Sequence, residues 1–256
     1  MQEVEWQNLA APALRRLAEQ DAIVIVPIGS TEQHGPHLPV QVDSLIAGEV
    51  AKRAAVRLSG TGPVVVTPTV WTGLAEHHMA FGATITLDFS TFHALLRCIC
   101  RSVLRHGFRR LLLLNGHGGN VAALGVIAGE LTLELGRKIA VATYWTLPEA
   151  ATAFAAILER QPNVRHACEA ETSMVLSLRP ELVDRDAMKS IEPPADGPAA
   201  SPFVWREFSE ITASGVIGVP SAADADKGGQ LLDAAARAVA GCLAADLWEK
   251  GPRARD

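Results

Sequence analysis

The chain has no excess of basic charge: 23 Lys and Arg residues are outnumbered by 28 Asp and Glu, and the formal net charge is −5 at pH 7. A protein that binds nucleic acid along a basic face shows the opposite balance, so we expect no nucleic-acid partner. No apolar run approaches the roughly 18 to 20 residues that cross a bilayer, and residues 1–7 do not resemble a secretory signal. We therefore expect no membrane partner and no secretion.

Cysteine is scarce, and no two cysteines form a CxxC pair. The four cysteines are Cys98, Cys100, Cys168 and Cys242. This pattern is typical of reduced thiols in the cytoplasm and not of a disulfide framework. The P-loop, the dinucleotide-binding GxGxxG and the GxSxG of serine hydrolases are also missing. Histidine, by contrast, is concentrated, because six of the eight histidines lie in short polar motifs.

Short apolar runs alternate with longer amphipathic segments along the chain. The runs at 22–26, 63–67, 111–114 and 138–142 are typical of strands buried on both faces of a parallel sheet. Helical patterns occur at 9–20, 44–58, 90–106, 121–135, 171–178 and 229–248. This order predicts a three-layer α/β/α fold with a mostly parallel central sheet. We expect residues 1–256 to form one domain.

Candidate metal ligands follow two of the predicted strands. Glu32, His34 and Asp43 come after the first strand, and His117 lies in a glycine-rich turn after the third. Open α/β sheets bind ligands at the carboxyl ends of their strands, so we expect these side chains to meet. Simpler roles exist: Asp43 as a helix N-cap, His117 as a turn residue, and the other two as solvated loop residues. The turn 116–119 could also cradle an anion. The convergence of ligand types favours metal binding.

Two further polar motifs offer more candidates. The first contains His166, Glu169 and Glu171 at the start of a predicted helix. The two carboxylates there could be metal ligands or merely favourable first-turn acids. The second contains Glu76 and His77 and follows the second strand, so that it reaches the same edge of the sheet or is a solvated loop.

The proline-rich segment 190–213 is the longest stretch without a helix or strand pattern. It contains the aromatic residues Phe203, Trp205 and Phe208. Long loops in compact domains are usually functional or disordered, and the aromatic residues favour an ordered flap. A contact between subunits explains them equally well, so both interpretations stay open.

Taken in order, these motifs closely resemble those of the creatininase (creatinine amidohydrolase) family. The resemblance rests mainly on the segments 27–39 (PIGSTEQHGPHLP), 114–120 (LNGHGGN), 166–173 (HACEAETS) and 215–221 (GVIGVPS). It covers nearly the whole chain, which is identified as a member of the family on these motifs. The resemblance implies a metal-dependent hydrolase of amide C–N bonds with a two-metal site in an α/β/α domain.

The resemblance also implies which residues bind metal. The implied ligands are Glu32, His34, Asp43, His117 and Glu171, with Asp43 bridging two divalent ions per chain. Three carboxylates and two imidazoles form a mixed set that suits Zn²⁺, Mn²⁺ or Fe²⁺.

The implied catalytic residues are His166 and Glu169. A hydroxide shared by the two metals, with a pKa lowered to near neutrality, would attack the amide carbonyl. His166 or Glu169 would then protonate the leaving nitrogen. Glu169 could instead replace a carboxylate that creatininase itself has at the position of Gly119, which leaves open whether Glu169 or Glu171 is the fifth ligand.

Two departures from creatininase itself prevent a transfer of its activity. Creatininase has Tyr and Glu where this chain has Gly118 and Gly119, and a Trp-Asp pair where it has Pro162 and Asn163. The chain is closer to branches of the family with His-Gly-Gly-Asn, which include formamide-cleaving deformylases and a peptidase of the mycofactocin precursor. We expect a small-molecule amide as substrate: a cyclic amide, a formamide or a small peptide-like amide. The predicted substrate-binding residues are Gly118, Gly119, Glu76, His77 and Trp205.

An alternative function and the oligomeric state remain to be considered. A non-catalytic protein that binds a small molecule or anion beside a structural metal is the alternative to an enzyme; a structural site is closed, whereas a catalytic site keeps an open position. Members of the family form ring-like homo-oligomers, so the resemblance implies a homo-oligomer such as a hexamer, with Trp71 among the candidate contact residues.

Overall fold

The computed structural model describes residues 3–191, 204–245 and 247–248, and a parallel sheet lies at its centre. The strands are β1 (Ile23–Ile28), β2 (Val64–Val66), β3 (Arg110–Asn115) and β4 (Ile139–Thr143). They lie in the order β2-β1-β3-β4, and every neighbouring pair is parallel. Each strand coincides with a predicted apolar run, which confirms the predicted parallel sheet.

Eight α-helices pack around the sheet in the described part of the chain. They are α1 (Ala11–Glu19), α2 (Val42–Leu58), α3 (Phe89–Arg105), α4 (Val121–Leu135), α5 (Pro148–Ile157), α6 (Glu169–Leu178), α7 (Arg185–Ser190) and α8 (Ala225–Ala244). The sequence predicts six of them, and α5 and α7 are additional. Single residues mark where these two helices begin. Helix α5 begins with Pro148, which suits a first helical turn, and the Asp184 side chain caps the short α7.

The last helix, α8, is offset from its predicted range of 229–248. It begins at Ala225, because the Asp224 side chain accepts hydrogen bonds from the first free backbone N–H groups of the helix, and it ends at Ala244. A glycine pair inside the helix obscures this start in the sequence. Gly228 is required there, because a Cβ atom at this position would overlap the backbone of Ser173 in α6. The close approach fixes α6 against α8.

The strands bury alternate residues on opposite faces of the sheet, as their two-residue period requires. In β1, Ile23 and Ile25 pack with α2, α5, α6, α7 and α8, whereas Val24 and Val26 pack with α1, α3 and α4. The two helical layers and the sheet between them confirm the predicted three-layer α/β/α fold. None of the helices in the described ranges has both the length and the apolar character of a membrane span.

The connections leave the sheet in opposite directions at its middle. The chain leaves β1 to enter α2 on one face, and it leaves β3 to enter α4 on the other. Because β1 and β3 are neighbours, a crevice opens between the two connections at the carboxyl ends of these strands. Such a switch point is where open α/β sheets bind ligands.

Candidate metal centre

Five side chains predicted to bind metal converge in this crevice from four parts of the chain. Glu32 and His34 follow β1, Asp43 lies in the first turn of α2, His117 follows β3, and Glu171 lies in the first turn of α6. All five are at most 4% exposed. Polar side chains so deeply buried require partners of their own kind or a cation.

Asp43 lies at the middle of the cluster, and its two carboxylate oxygens face different neighbours. Its Oδ2 is 3.0 Å from His117 Nδ1, which is also 2.9 Å from Glu32 Oε2. Its Oδ1 is 3.3 Å from His34 Nε2, and that nitrogen is 4.0 Å from Glu171 Oε2. The side chains therefore form two groups of possible ligands that share Asp43, one with Glu32 and His117 and one with His34 and Glu171. A third group of possible ligands, Glu32, His34 and His166, adjoins them.

The atoms that face one another in the cluster lack hydrogen bonds. Glu32 Oε2, His34 Nε2 and Asp43 Oδ2 are buried and have no hydrogen-bond partner among the described residues, although neighbouring ligand atoms lie about 3 Å away. Metal–ligand bonds of about 2.0–2.2 Å place the ligand atoms of one ion at such separations. Carboxylates and imidazoles are also the donors that Zn²⁺, Mn²⁺ and Fe²⁺ accept. The residues fit a divalent metal.

Backbone carbonyls orient the two candidate imidazole ligands. His34 Nδ1 lies 3.1 Å from the carbonyl oxygen of Glu32, and His117 Nε2 lies 3.0 Å from that of Leu74. A carbonyl only accepts, so in each ring this nitrogen carries the proton. The other nitrogen faces the carboxylates, and in a neutral ring its lone pair would be available to a metal ion, which is the arrangement of metal-binding histidines.

A second pair of imidazoles borders the cluster on the side of Glu32. His166 Nδ1 and His78 Nε2 lie 3.6 Å and 3.2 Å from Glu32 Oε1. His166 Nε2 lies 2.9 Å from the backbone carbonyl oxygen of Gln33 and 3.1 Å from the nitrogen of the Gln33 side-chain amide. The Gln33 side-chain amide donates to His78 Nδ1 at 2.9 Å and to the carbonyl of Gly215 at 3.1 Å. The amide therefore leaves His78 with its proton on Nε2, facing Glu32.

The charges of the cluster reflect both burial and the neighbours. Burial opposes ionisation of Glu32, yet His117 holds the pKa of that carboxyl well below its ordinary value. Burial alone would lower the pKa of His34, but the neighbouring Asp43 carboxylate has the opposite effect, and the net result is a pKa raised to about 9. Burial raises the pKa of Glu171 to about 8. The carboxylates thus need positive charge from protonated imidazoles, a need that a divalent cation meets while the imidazoles stay neutral.

Comparison with known proteins agrees with this geometry. The family model described as "Creatininase: Creatinine amidohydrolase" matches residues 7–243. The chain belongs to the creatininase family. Membership confirms the resemblance in the motifs, and it confirms a hydrolase of C–N bonds over the non-catalytic alternative.

Relatives with different substrates are similarly distant from this creatininase-family chain. Creatinine amidohydrolase from Pseudomonas putida is 29% identical, and the alignment covers 94% of each chain. A mycofactocin precursor peptide peptidase from Mycobacterium ulcerans is 32% identical over 90% of this chain and 86% of its own length. Among solved structures, a creatininase mutant of Zn–Zn type is 27% identical, with a TM-score of 0.81 over 95% of this chain and 98% of that one. A Mn form of creatininase is 26% identical, with a TM-score of 0.78 and coverages of 94% and 98%.

Glu169, predicted as a proton donor or fifth ligand, lies outside the cluster of this family member. Its fully buried carboxylate accepts hydrogen bonds from the backbone N–H groups of Glu159 at 3.0 Å and Arg160 at 2.8 Å. It also pairs with Lys227 Nζ at 2.9 Å. These partners satisfy both oxygens, so the geometry favours Glu171 over Glu169 as the ligand that α6 would contribute.

The predicted substrate-binding residues differ in their distance from the centre. Half-buried His77 has its ring centroid 5.7 Å from that of His117, whereas Glu76 is exposed. A Cβ atom at Gly119 would overlap His117 Nε2 and the carbonyl of Leu74, but one at Gly118 would meet open space.

An aromatic side chain from the predicted flap covers the imidazoles, and it is not the predicted one. The ring centroid of Phe208 lies 4.1 Å from that of His78 and 4.8 Å from that of His166. Trp205 is 53% exposed. Phe203 and the rest of residues 192–203 lie outside the described residues.

The motifs did not single out Gln33 or Phe208 for the roles they have at the centre, and they left His78 undecided. Gln33 lies between Glu32 and His34, where alternation along an extended chain turns it away from them. Its partner His78 is 45 residues away in sequence. The only local signal is that both residues lie in polar motifs rich in histidine.

Proposed function

We propose that this chain is a binuclear metal-dependent amidohydrolase that cleaves a C–N amide bond in a small molecule. The observation that carries the proposal is the position of Asp43, whose two oxygens face two sets of possible ligands. Glu32 and His117 would complete one site, and His34 and Glu171 the other. Zn–Zn and Mn forms of creatininase support divalent metals of this kind.

Two bound divalent ions would polarise the amide carbonyl and lower the pKa of water to near neutrality. His166 is our candidate for the proton carrier beside them. With its proton on Nε2, donated to the backbone carbonyl oxygen of Gln33, His166 would have a free lone pair on Nδ1, which lies 3.6 Å from Glu32 Oε1. A nitrogen in this state can accept the proton of the attacking water and then donate it to the leaving nitrogen.

Gln33 acts in this proposal as a positioning residue. Its backbone carbonyl oxygen would accept the Nε2 proton of His166, and its side-chain amide, which lies within hydrogen-bond distance of both rings, would direct the proton of His78 to Nε2. The two rings lie with their centroids 4.4 Å apart, under Phe208. Gln33 thus holds both imidazoles in one protonation pattern while His78 donates to Glu32.

The substrate is proposed at the level of a chemical class. His77, Phe208 and the open space beside Gly118 would form the wall of a small pocket. Relatives named for creatinine and for a precursor peptide support a cyclic amide, a formamide or a small peptide-like amide. We further propose a homo-oligomer such as a hexamer, for which Trp71, 54% exposed, offers an apolar contact.

Metal removal and reconstitution test the proposal. Protein stripped by a chelator should hydrolyse no member of a panel of cyclic amides, formamides and short peptides, and Zn²⁺ or Mn²⁺ should restore hydrolysis of at least one. His166→Gln should keep its metal but lower kcat by about 10²–10⁴-fold, the usual contribution of acid–base catalysis. Asp186→Asn, on the surface, is the control. Full activity after stripping would overturn the proposal.

A further inference from the structure

A cleft lined by arginines lies at the opposite end of the strands from the metal centre. It has a volume of about 430 Å³. Its walls come from the end of α3, the end of α4 and the loops that lead into β3 and β4. The four arginines that line it are Arg101, Arg105, Arg109 and Arg137.

Three of these guanidinium groups have no carboxylate within ion-pair distance among the described residues. Arg109 pairs with Asp21 at 2.9 Å. One helical turn before the cleft, Arg97 pairs with Glu134 at 2.6 Å. Arg101, Arg105 and Arg137 are exposed and form no such pair in the ranges that the structure describes. The cleft therefore carries positive charge that the protein does not neutralise, in a chain whose net charge is −5.

Stabilisation of the two helix ends does not by itself explain the four arginines that line the cleft. Arg105 ends α3, and a cation there is favoured by the partial negative charge of a helix end. Each helix end, however, carries only about half an elementary charge. Arg97, Arg101 and Arg105 also follow one another at four-residue intervals, and like charges at this spacing destabilise a helix. Asp21 and the two helix ends together leave the four guanidiniums with an excess of positive charge.

We propose that this cleft binds a small polyanion that carries phosphate groups. Guanidinium groups bind phosphate oxygens through pairs of parallel hydrogen bonds. The volume is within the range of pockets for small molecules, roughly 300–1,000 Å³. Leu104 and Leu135 are half-buried and line the same cleft, so an organic group attached to the phosphates would find apolar contacts. The inference does not rest on the proposed hydrolase function.

Titration calorimetry in a low-salt buffer without phosphate tests this site. The probes are inorganic pyrophosphate and ADP, added to the metal-loaded protein. We expect saturable binding of one probe molecule per chain. The double variant Arg101→Gln/Arg137→Gln should weaken binding at least about tenfold, the loss of 1.4 kcal/mol. Arg237→Gln, on the exposed face of α8 on the other side of the sheet, is the matched control and should bind as the wild type does.

The two probes also separate two sources of affinity. Equal affinity for pyrophosphate and ADP would show that the site recognises the phosphates alone. Tighter binding of ADP would show that the apolar wall also contributes to affinity. Both outcomes support the site. Binding that survives in the double variant would place the anion elsewhere, for instance at the metals, and would overturn the proposal. So would an equal loss in Arg237→Gln, no saturable binding, or a preference for a single-stranded oligonucleotide over both probes. Thermal unfolding of each variant verifies the fold, and Arg137→Gln alone provides a milder change.

Discussion

Substitution of Glu169 distinguishes a structural acid from a catalytic one. Its buried carboxylate holds the loop at Glu159 and Arg160 and pairs with Lys227, away from the metal centre. Removing one partner of a buried ion pair destabilises a protein by about 3–5 kcal/mol. In a chain of this size, 1 kcal/mol corresponds to roughly 2–4 °C in Tm. Glu169→Ala should therefore lower Tm by roughly 6–20 °C.

Three companion variants locate the origin of that loss. Lys227→Met leaves the charge of Glu169 buried without its cation, so its Tm should fall by a similar amount. Glu169→Gln keeps the shape and one carbonyl oxygen, so its Tm should fall less. Glu159→Gln is the matched control: this carboxylate also contacts Lys227, but it is 65% exposed. An exposed pair contributes at most about 1 kcal/mol, so Tm should hardly change.

The assay combines thermal unfolding, followed by circular dichroism, with kcat measured well below the lowest Tm. Glu169→Gln should keep kcat near that of the wild type, because its carboxylate touches neither the metal ligands nor His166 in the described structure. A fall in kcat of about 10²-fold or more, the contribution of a general acid, with an unchanged Tm would refute this reasoning. Glu169 would then be a proton donor.

Three further substitutions test the surroundings of the centre. Gln33→Leu should lower kcat while KM and metal content stay as in the wild type, because it removes the side-chain amide that contacts His78 Nδ1 and His166 Nε2, while the backbone carbonyl beside His166 remains; unchanged steady-state kinetics would contradict this role. Phe208→Ala should mainly raise KM, with Phe89→Ala on the surface as control, and an equal effect of both variants would remove Phe208 from the pocket. Gly119→Ala should weaken metal affinity by about 10–100-fold, as changes next to ligands do, because the added methyl overlaps His117; Gly118→Ala, in open space, should not. Competition with a metal indicator measures both affinities, and equal values would contradict the overlap.

The strands of the sheet were predictable, because a strand that is buried on both faces consists almost entirely of apolar residues. The four apolar runs gave the strands, but the predicted end of β1 at Val26 falls short, because proline usually ends a strand. Pro27 continues β1, and its carbonyl accepts the N–H of Val70 at 2.9 Å. On that side β2 has already ended at Val66, so the missing N–H of Pro27 breaks no ladder hydrogen bond.

The candidate ligands were predictable because each lies in a motif directly after a strand or at the start of a helix. The family resemblance supplied what spacing could not, namely the choice of Glu171 and the shared role of Asp43. The contacts of Glu169 were out of reach, since Lys227 is 58 residues further along the chain. Phe208 was equally hidden, because nothing local shows which aromatic residue of a long loop faces inward.

The most direct test of the account is anomalous diffraction from crystals of the metal-loaded protein, collected on both sides of the metal absorption edge. A binuclear centre predicts two peaks per chain, about 3.5–4 Å apart as in two-metal hydrolytic sites, with one oxygen of Asp43 bound to each. It also predicts that Asp43→Ala loses both peaks, whereas Glu32→Ala loses mainly the one next to His117. A single peak, or two peaks that persist without Asp43, would contradict the binuclear centre.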